Sequence, residues 1–211
     1  MGIREAKKAS VRERLVDAAA SLFLERGVEG TTMDDIAAAA GTSRTSVFNY
    51  FGYKEAILVE IGARYVRAIG EEARQSAPPE PPAVPVDAAR RSLTALADAI
   101  AAIAAREPRL IAAVAREMTH PDPERRTHAM ERMQYPVLIE GLLRSLADAR
   151  VLRQPDRVET LIRQLVDLTS GVLVRTSEGS SLDEIRAELR ANVDLFCDGA
   201  FAAEQPVKPL A

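Results

Sequence analysis

Apolar residues recur along most of this chain at three- and four-residue spacing, the period of a helix with one buried face. Val11, Leu15, Ala18, Ala19, Leu22 and Phe23 form the first such stripe. Ser10-x-x-Glu13 supplies a capping box before it, and Gly27 a residue suited to a helix C-terminus after it, which predicts a helix over 10–26. Thr32, with Asp34 and Asp35 in the first turn, opens a short helix from Met33 to Ala40 that Gly41 ends. Ser43 then caps a third helix, 44–51, after a turn of about three residues; two short helices joined this tightly form a helix-turn-helix. Val47, Phe51 and Ala37 fall where the core of such a head must be.

Ile57, Ile61, Tyr65 and Ile69 make an i, i+4 ladder that predicts a fourth helix over 54–74. The stretch SAPPEPPAVPVD, residues 76–87, holds five prolines and predicts an extended connector. Beyond it, Leu93, Leu96, Ile100 and Ile103 mark one helix, and Leu110, Ile111, Val114 and Met118 a shorter one. Asp122-Pro123 starts a longer helix through Leu146 that Pro136 should kink. Two last helices are predicted over 155–177 and 182–203. The expected fold is all-α with about nine helices. It divides into a three-helix helix-turn-helix head, 1–53, and a helical body, 54–211, whose first part (54–75) is a connecting helix.

Composition alters this picture little. A net charge of −3 does not advertise nucleic-acid binding, yet residues 1–14 carry Arg4, Lys7, Lys8, Arg12 and Arg14 against Glu5 and Glu13, a local balance of +3. This arm is either a solvated tail or a further DNA contact. A single cysteine, Cys197, excludes an internal disulfide framework and fits a reducing compartment; it falls on the inward period of its helix as a buried, inert thiol. The N-terminus lacks the apolar core of a signal peptide, and no run is long enough for a membrane span, so a cytoplasmic protein with no membrane partner is expected. No phosphate loop, dinucleotide fingerprint, nucleophile elbow or zinc-protease motif occurs, and two histidines offer little general-base chemistry. Neither enzyme activity nor a cofactor is expected. His120 and His128, with Asp122 and Glu124 between them, lack the i, i+4 spacing of a metal pair, and no metal is expected there.

The stretch GVEGTTMDDIAAAAGTSRTSVFNYFGYKEAIL, residues 27–58, resembles the signature of the TetR family: the Gly-Thr entry, D-I-A, the A-G turn, S-x-x-S-V-F-x-Y-F and K-E-A-I-L. With helix 10–26 the likeness covers about 50 residues; the rest matches only in helix order and length. The resemblance implies a homodimeric regulator, most often a repressor, that binds a palindromic double-stranded operator and is released by a small-molecule effector. It implies that Arg44, Thr45, Ser46, Phe48 and Asn49 face the major groove, Arg44 suited to guanine and Asn49 to adenine. It places Thr32, Tyr50 and Lys54 at phosphates, with Lys7, Lys8 and Arg12 as further backbone contacts. The chain departs from the pattern at Phe48, where tyrosine is usual, and at Tyr53, where a small capping residue is usual. An architectural DNA-binding protein on the same scaffold, without effector control, is the competing reading.

For the body, Met118, Met130, Met133, Tyr135 and Glu140 cluster around the proline kink as an expected ligand pocket. Asp167 likewise interrupts an apolar run. Helix 155–177 is apolar around much of its girth, which suggests burial against a partner chain. Leu161, Leu165, Leu168, Val172, Leu189 and Phe196 are the expected dimer contacts.

Overall fold

A computed structural model describes residues 2–76, 85–135, 137–176 and 179–201. Its head consists of α1 (Ile3–Arg26), α2 (Met33–Ala39) and α3 (Arg44–Tyr50). α1 starts well before Ser10, so the predicted capping box is not used. Arg, Glu, Ala and Lys upstream are good helix formers, and the Glu5 carboxylate accepts from the Gly2 amide at 3.1 Å to satisfy a free end. The basic arm is therefore helical, with Lys7 and Lys8 exposed on it.

Gly27 ends α1 at φ 77°, its amide donating to Phe23 O. Thr32 caps α2 in a reciprocal box with Asp35: the Asp35 amide donates to the Thr32 hydroxyl at 3.1 Å, and the Thr32 amide to the Asp35 carboxylate at 2.9 Å. These bonds to the Thr32 hydroxyl and amide hold the Asp35 carboxyl below its ordinary range. Gly41 (φ 61°) turns the chain toward Ser43, whose hydroxyl caps α3. Val47, Phe51 and Ala37 are buried in the head core as expected.

α4 (Lys54–Ser76) packs on α1 and also on three helices of the body: α5 (Pro85–Arg106), α6 (Pro108–Met118) and α7 (Pro123–Met133). Head and body thus share one hydrophobic core. The proline-rich segment is shorter than predicted, since Ser76 is helical and Pro85 opens α5, the proline ring being tolerated at a first helical turn; residues 77–84 lie outside the described ones. At Gly62 of α4 an added Cβ would sit 2.7 Å from Met133 Cε and 2.9 Å from Val114 Cγ1, so side chains of α6 and α7 pack directly on the α4 backbone there.

The long kinked helix is instead two, α7 and α8 (Val137–Asp148), which makes ten α-helices among the described residues. Gln134, at φ 57°, terminates α7 in a left-handed cap. Pro136 itself lies outside the described residues. A single 3-10 turn, Pro155–Arg157, precedes α9 (Val158–Arg175), and α10 (Leu182–Ala200) stops short of Ala203. There Phe201 forms an antiparallel bridge with Leu152, and the Arg153 guanidinium donates to Phe201 O at 2.6 Å, occupying a terminal carbonyl. Cys197 is fully buried, which pushes its thiol up to about 11. No described helix is long and apolar enough to cross a membrane.

Candidate DNA-reading face and body cavities

Burial sorts the recognition-helix residues by direction. Val47 points inward, while Arg44, Thr45, Phe48 and Asn49 form one exposed stripe of α3. Ser46 and Tyr50 are half-buried. The Ser46 amide donates to the Ser43 hydroxyl at 3.2 Å, and the two hydroxyls lie 2.9 Å apart, so Ser46 belongs to the helix cap and not to the open stripe.

Two expected phosphate contacts are committed elsewhere. Lys54 turns its ammonium to the loop after α1, donating to Val28 O at 2.7 Å and Thr31 O at 3.4 Å. Carbonyls of the turn that follows a helix end are ready acceptors for a nearby ammonium, and its donors are used there. Arg12 stacks over the Phe51 ring at 4.4 Å and pairs with Glu60 of α4 at 2.8 Å. Thr32 remains exposed at the start of α2, its hydroxyl engaged by Asp35 at 2.6 Å.

Glu60 also receives Arg132 of α7, so one carboxylate joins the head, the connecting helix and the body. Burial alone would raise its pKa, but the hydrogen bonds from Arg132 and Arg12 outweigh burial and leave the group below its ordinary 4.5. A depressed carboxyl contributes stability above that ordinary value and loses it as pH falls through the lowered native one. Glu60→Gln should therefore flatten the loss of unfolding free energy from about pH 5 to about pH 3. Urea titrations of both proteins check this, and parallel curves would remove Glu60 from the account.

The body has three cavities of interest. A cleft of about 390 Å³ between α4, α5 and α8 is lined by Gly70, Ala73, Arg74, Leu93, Leu96 and Leu142, among others. Behind it, a small enclosed space of about 10 Å³ shares Leu93 and Leu96 and is closed by Tyr135, Leu165, Thr169 and Leu189. Burial pushes the Tyr135 hydroxyl up to about 12, a rise held in check by its hydrogen bond with Thr169. The third is an open groove of about 810 Å³ on the outer faces of α9 and α10, with Leu161, Leu168, Gly171, Leu195 and Phe196 on its walls.

Of the five expected pocket residues, Tyr135 alone lines one of these spaces. Met118 and Met133 are buried in solid core, Met133 against Gly62, and Met130 packs on that core. Glu140 pairs with Arg144 at 2.8 Å, one helical turn on, where its charge stays hydrated. Of the expected dimer contacts, Leu161, Leu168 and Phe196 line the outer groove. Leu165, Val172 and Leu189 face the protomer's own core at 3%, 2% and 2% exposure and leave no surface for a partner. Leu195, 66% exposed, was missed. It lies off the inward stripe of Ile185, Leu189, Val193 and Cys197, and that misplacement of a leucine was the available signal. Asp167 is also on the groove wall. His120 Nδ1 accepts from the Asp122 amide at 3.1 Å, a turn contact.

Residues 15–61 match the family model for bacterial regulatory proteins of the tetR family. Residues 69–199 match that for the C-terminal domain of TetR/AcrR family transcriptional repressors. Among solved structures, FadR of Thermus thermophilus, a TetR family transcriptional repressor in complex with lauroyl-CoA, is 34% identical, covering 93% of this chain and 98% of its own at a TM-score of 0.74. FadR of Bacillus subtilis in complex with stearoyl-CoA shares the fold at 18% identity, over 89% of this chain and 98% of its own, with a TM-score of 0.63. The HTH-type transcriptional repressor KstR2 of Rhodococcus jostii is 46% identical over 54 residues, 26% of each protein, so this chain spans about a quarter of that curated relative. With a helix-turn-helix at one end, a C-terminal-domain match over the other and both joined through α4, the chain belongs to the TetR family of DNA-binding, ligand-responsive transcriptional repressors, which are regulators and not enzymes.

Proposed function

We propose that this protein is a cytoplasmic homodimeric repressor that leaves a palindromic operator when a long-chain acyl-CoA thioester enters its body. The exposed stripe Arg44, Thr45, Phe48 and Asn49 reads base edges. Arg44 grips the O6 and N7 of a guanine, Asn49 reads adenine, and Thr45 and Phe48 touch thymine methyls. Thr32, Tyr50, Lys7 and Lys8 hold phosphates and set the register, Lys7 and Lys8 from an arm that is already helical. The second copy docks in the groove of α9 and α10, and the two heads then read the two half-sites of the palindrome.

The apolar cleft beside Arg74 carries the effector reading. Its volume is within the range of small-molecule sites, Leu93, Leu96, Ile139 and Leu142 make its walls largely apolar beside Ser92 and Arg74, and Leu93 and Leu96 are shared with the small space beside Tyr135. An alkyl chain gains about 0.8 kcal/mol for each methylene it buries there, and the exposed Arg74 guanidinium, which pairs with Glu71 in the free protein, would exchange that carboxylate for the phosphates of coenzyme A. The similarity to a lauroyl-CoA-bound FadR points to the same class. α4 lines the cleft with Gly70, Ala73 and Arg74 and packs on α1 of the head, so a ligand that prefers one placement of α4 changes the spacing of the heads.

Calorimetric titration with lauroyl-CoA, free coenzyme A and laurate tests this. Lauroyl-CoA should bind most tightly and release DNA selected by the protein. Leu142→Trp, which fills the cleft from its half-buried wall, should weaken lauroyl-CoA at least about tenfold and leave DNA binding intact. Tight binding that is unaffected by Leu142→Trp would move the site, and no binding of any of the three would end the acyl-CoA reading.

A further inference from the structure

The first residue of the recognition helix is already held in place before DNA arrives. Arg44 Nη1 donates to Asp34 Oδ2 of α2 at 2.8 Å. Its guanidinium carbon lies 5.4 Å from the centroid of Phe48, the residue one turn further along α3. The fork is thus bounded by a carboxylate at one nitrogen and an aromatic ring against its plane. A guanidinium carries five N–H donors in a rigid plane. With Nη1 turned to Asp34, the edge formed by Nε and Nη2 remains for a second partner of two adjacent acceptors.

As a stabilising contact this pair amounts to little. Both side chains are largely in solvent, 67% and 58% exposed, where water and salt screen the attraction. A carboxylate beside the DNA-reading stripe also repels phosphates, at a cost to affinity for every sequence. Its neighbour Asp35 is accounted for by the Thr32 cap, whereas Asp34 reaches across from α2 to the reading residue of α3. An acid in that place weakens binding wherever Arg44 finds no matching base and loses little where it does.

We propose that Asp34 is a specificity-determining residue, positioning Arg44 so that one edge of its fork meets the O6 and N7 of a guanine. The inference rests on Arg44 being the base reader. Asp34 narrows the orientations of a long side chain that in free solution samples many rotamers. It also raises the ratio of specific to non-specific binding by repulsion as well as by attraction.

The test selects a randomised double-stranded DNA library with the full-length parent, Asp34→Asn, Asp34→Ala and Arg44→Ala, and sequences what is retained. The parent should select a palindrome with one fixed guanine in each half-site, and Arg44→Ala should lose preference at that position. Both Asp34 variants should lose about 5- to 20-fold of the preference at the same position and keep the others. They should also bind unrelated DNA more tightly than the parent does. A merely structural role would instead lower affinity evenly across all positions, and that result overturns the inference. So does a guanine selected by both Asp34 variants as sharply as by the parent. If Arg44→Ala leaves every position sharp, the Arg44 reading itself falls and this inference with it.

Discussion

Leu195→Glu is expected to turn the dimer into monomers and to lower affinity for a palindromic site by about two to four orders of magnitude, since each head then binds alone. Leu195 stands 66% exposed in a groove also walled by Leu161, Leu168 and Phe196. Gly171 on the facing helix is covered by the Arg175 guanidinium, whose Nη1 would lie 3.4 Å from an added Cβ. A carboxylate in place of that leucine must give up part of its hydration when two copies meet, and the apolar contact of Leu195 is lost with it. Because Leu195 is outside the protomer's core, the monomer keeps its helices, and far-ultraviolet circular dichroism should be unchanged. Sedimentation velocity gives the oligomeric state directly. A dimer as tight as the parent's would place the interface on another face.

Glu117→Ala carries the largest expected loss of stability. Glu117 of α6 is buried, and Arg125 of α7 grips it with Nε and Nη2, both at 2.7 Å. The Glu117 side chain is 8% exposed and that of Arg125 32%, so removing the acid strands a partly buried cation. Breaking such a pair costs about 3 kcal/mol. For a chain of this length, that lowers the melting midpoint by roughly 6–12 °C. Glu117→Gln, which keeps one acceptor oxygen, should fall between. A midpoint within about 2 °C of the parent's in a thermal melt would show that water replaces the carboxylate without loss.

Four boundaries in the head were legible because local chemistry sets them: Thr32 and Ser43 as caps, Gly27 and Gly41 as stops. Val47, Phe51 and Ala37 followed from the helical period alone. The dividing point between α7 and α8 was marked by Pro136, but whether a proline kinks a helix or ends it depends on tertiary packing, which periodicity does not encode. Ser10 illustrates the opposite failure, a good cap passed over because the residues before it are equally content in a helix.

At the site, direction defeated the sequence more than identity did. A helix apolar on two sides, such as α9, does not say which side meets its own core, so Leu165 and Val172 were assigned outward when they face inward. The methionines were read as a cavity lining for their adaptability, yet the same property lets them fill core completely. The commitments of Lys54 to the loop after α1, and of Arg12 to Phe51 and to Glu60 of α4, join segments far apart in sequence, and charge counting treats basic residues alike.

The contact at Gly62 makes α4 a lever. Its 23 residues give a rod of about 34 Å, and Gly62 lies about 12 Å from the end at Lys54 and about 18 Å from Arg74. If α4 pivots where the side chains of α6 and α7 pack on its backbone at Gly62, a push on the cleft end is expected to swing the other end the opposite way by about two-thirds as much. Two such rods in a dimer double the change in span between the heads. A displacement of about 2 Å at the cleft thus becomes nearly 3 Å at the DNA, set against a half-site repeat of about 34–36 Å. Replacing Gly62 with a larger residue would shift the fulcrum itself, changing the gearing between effector and operator without touching either site.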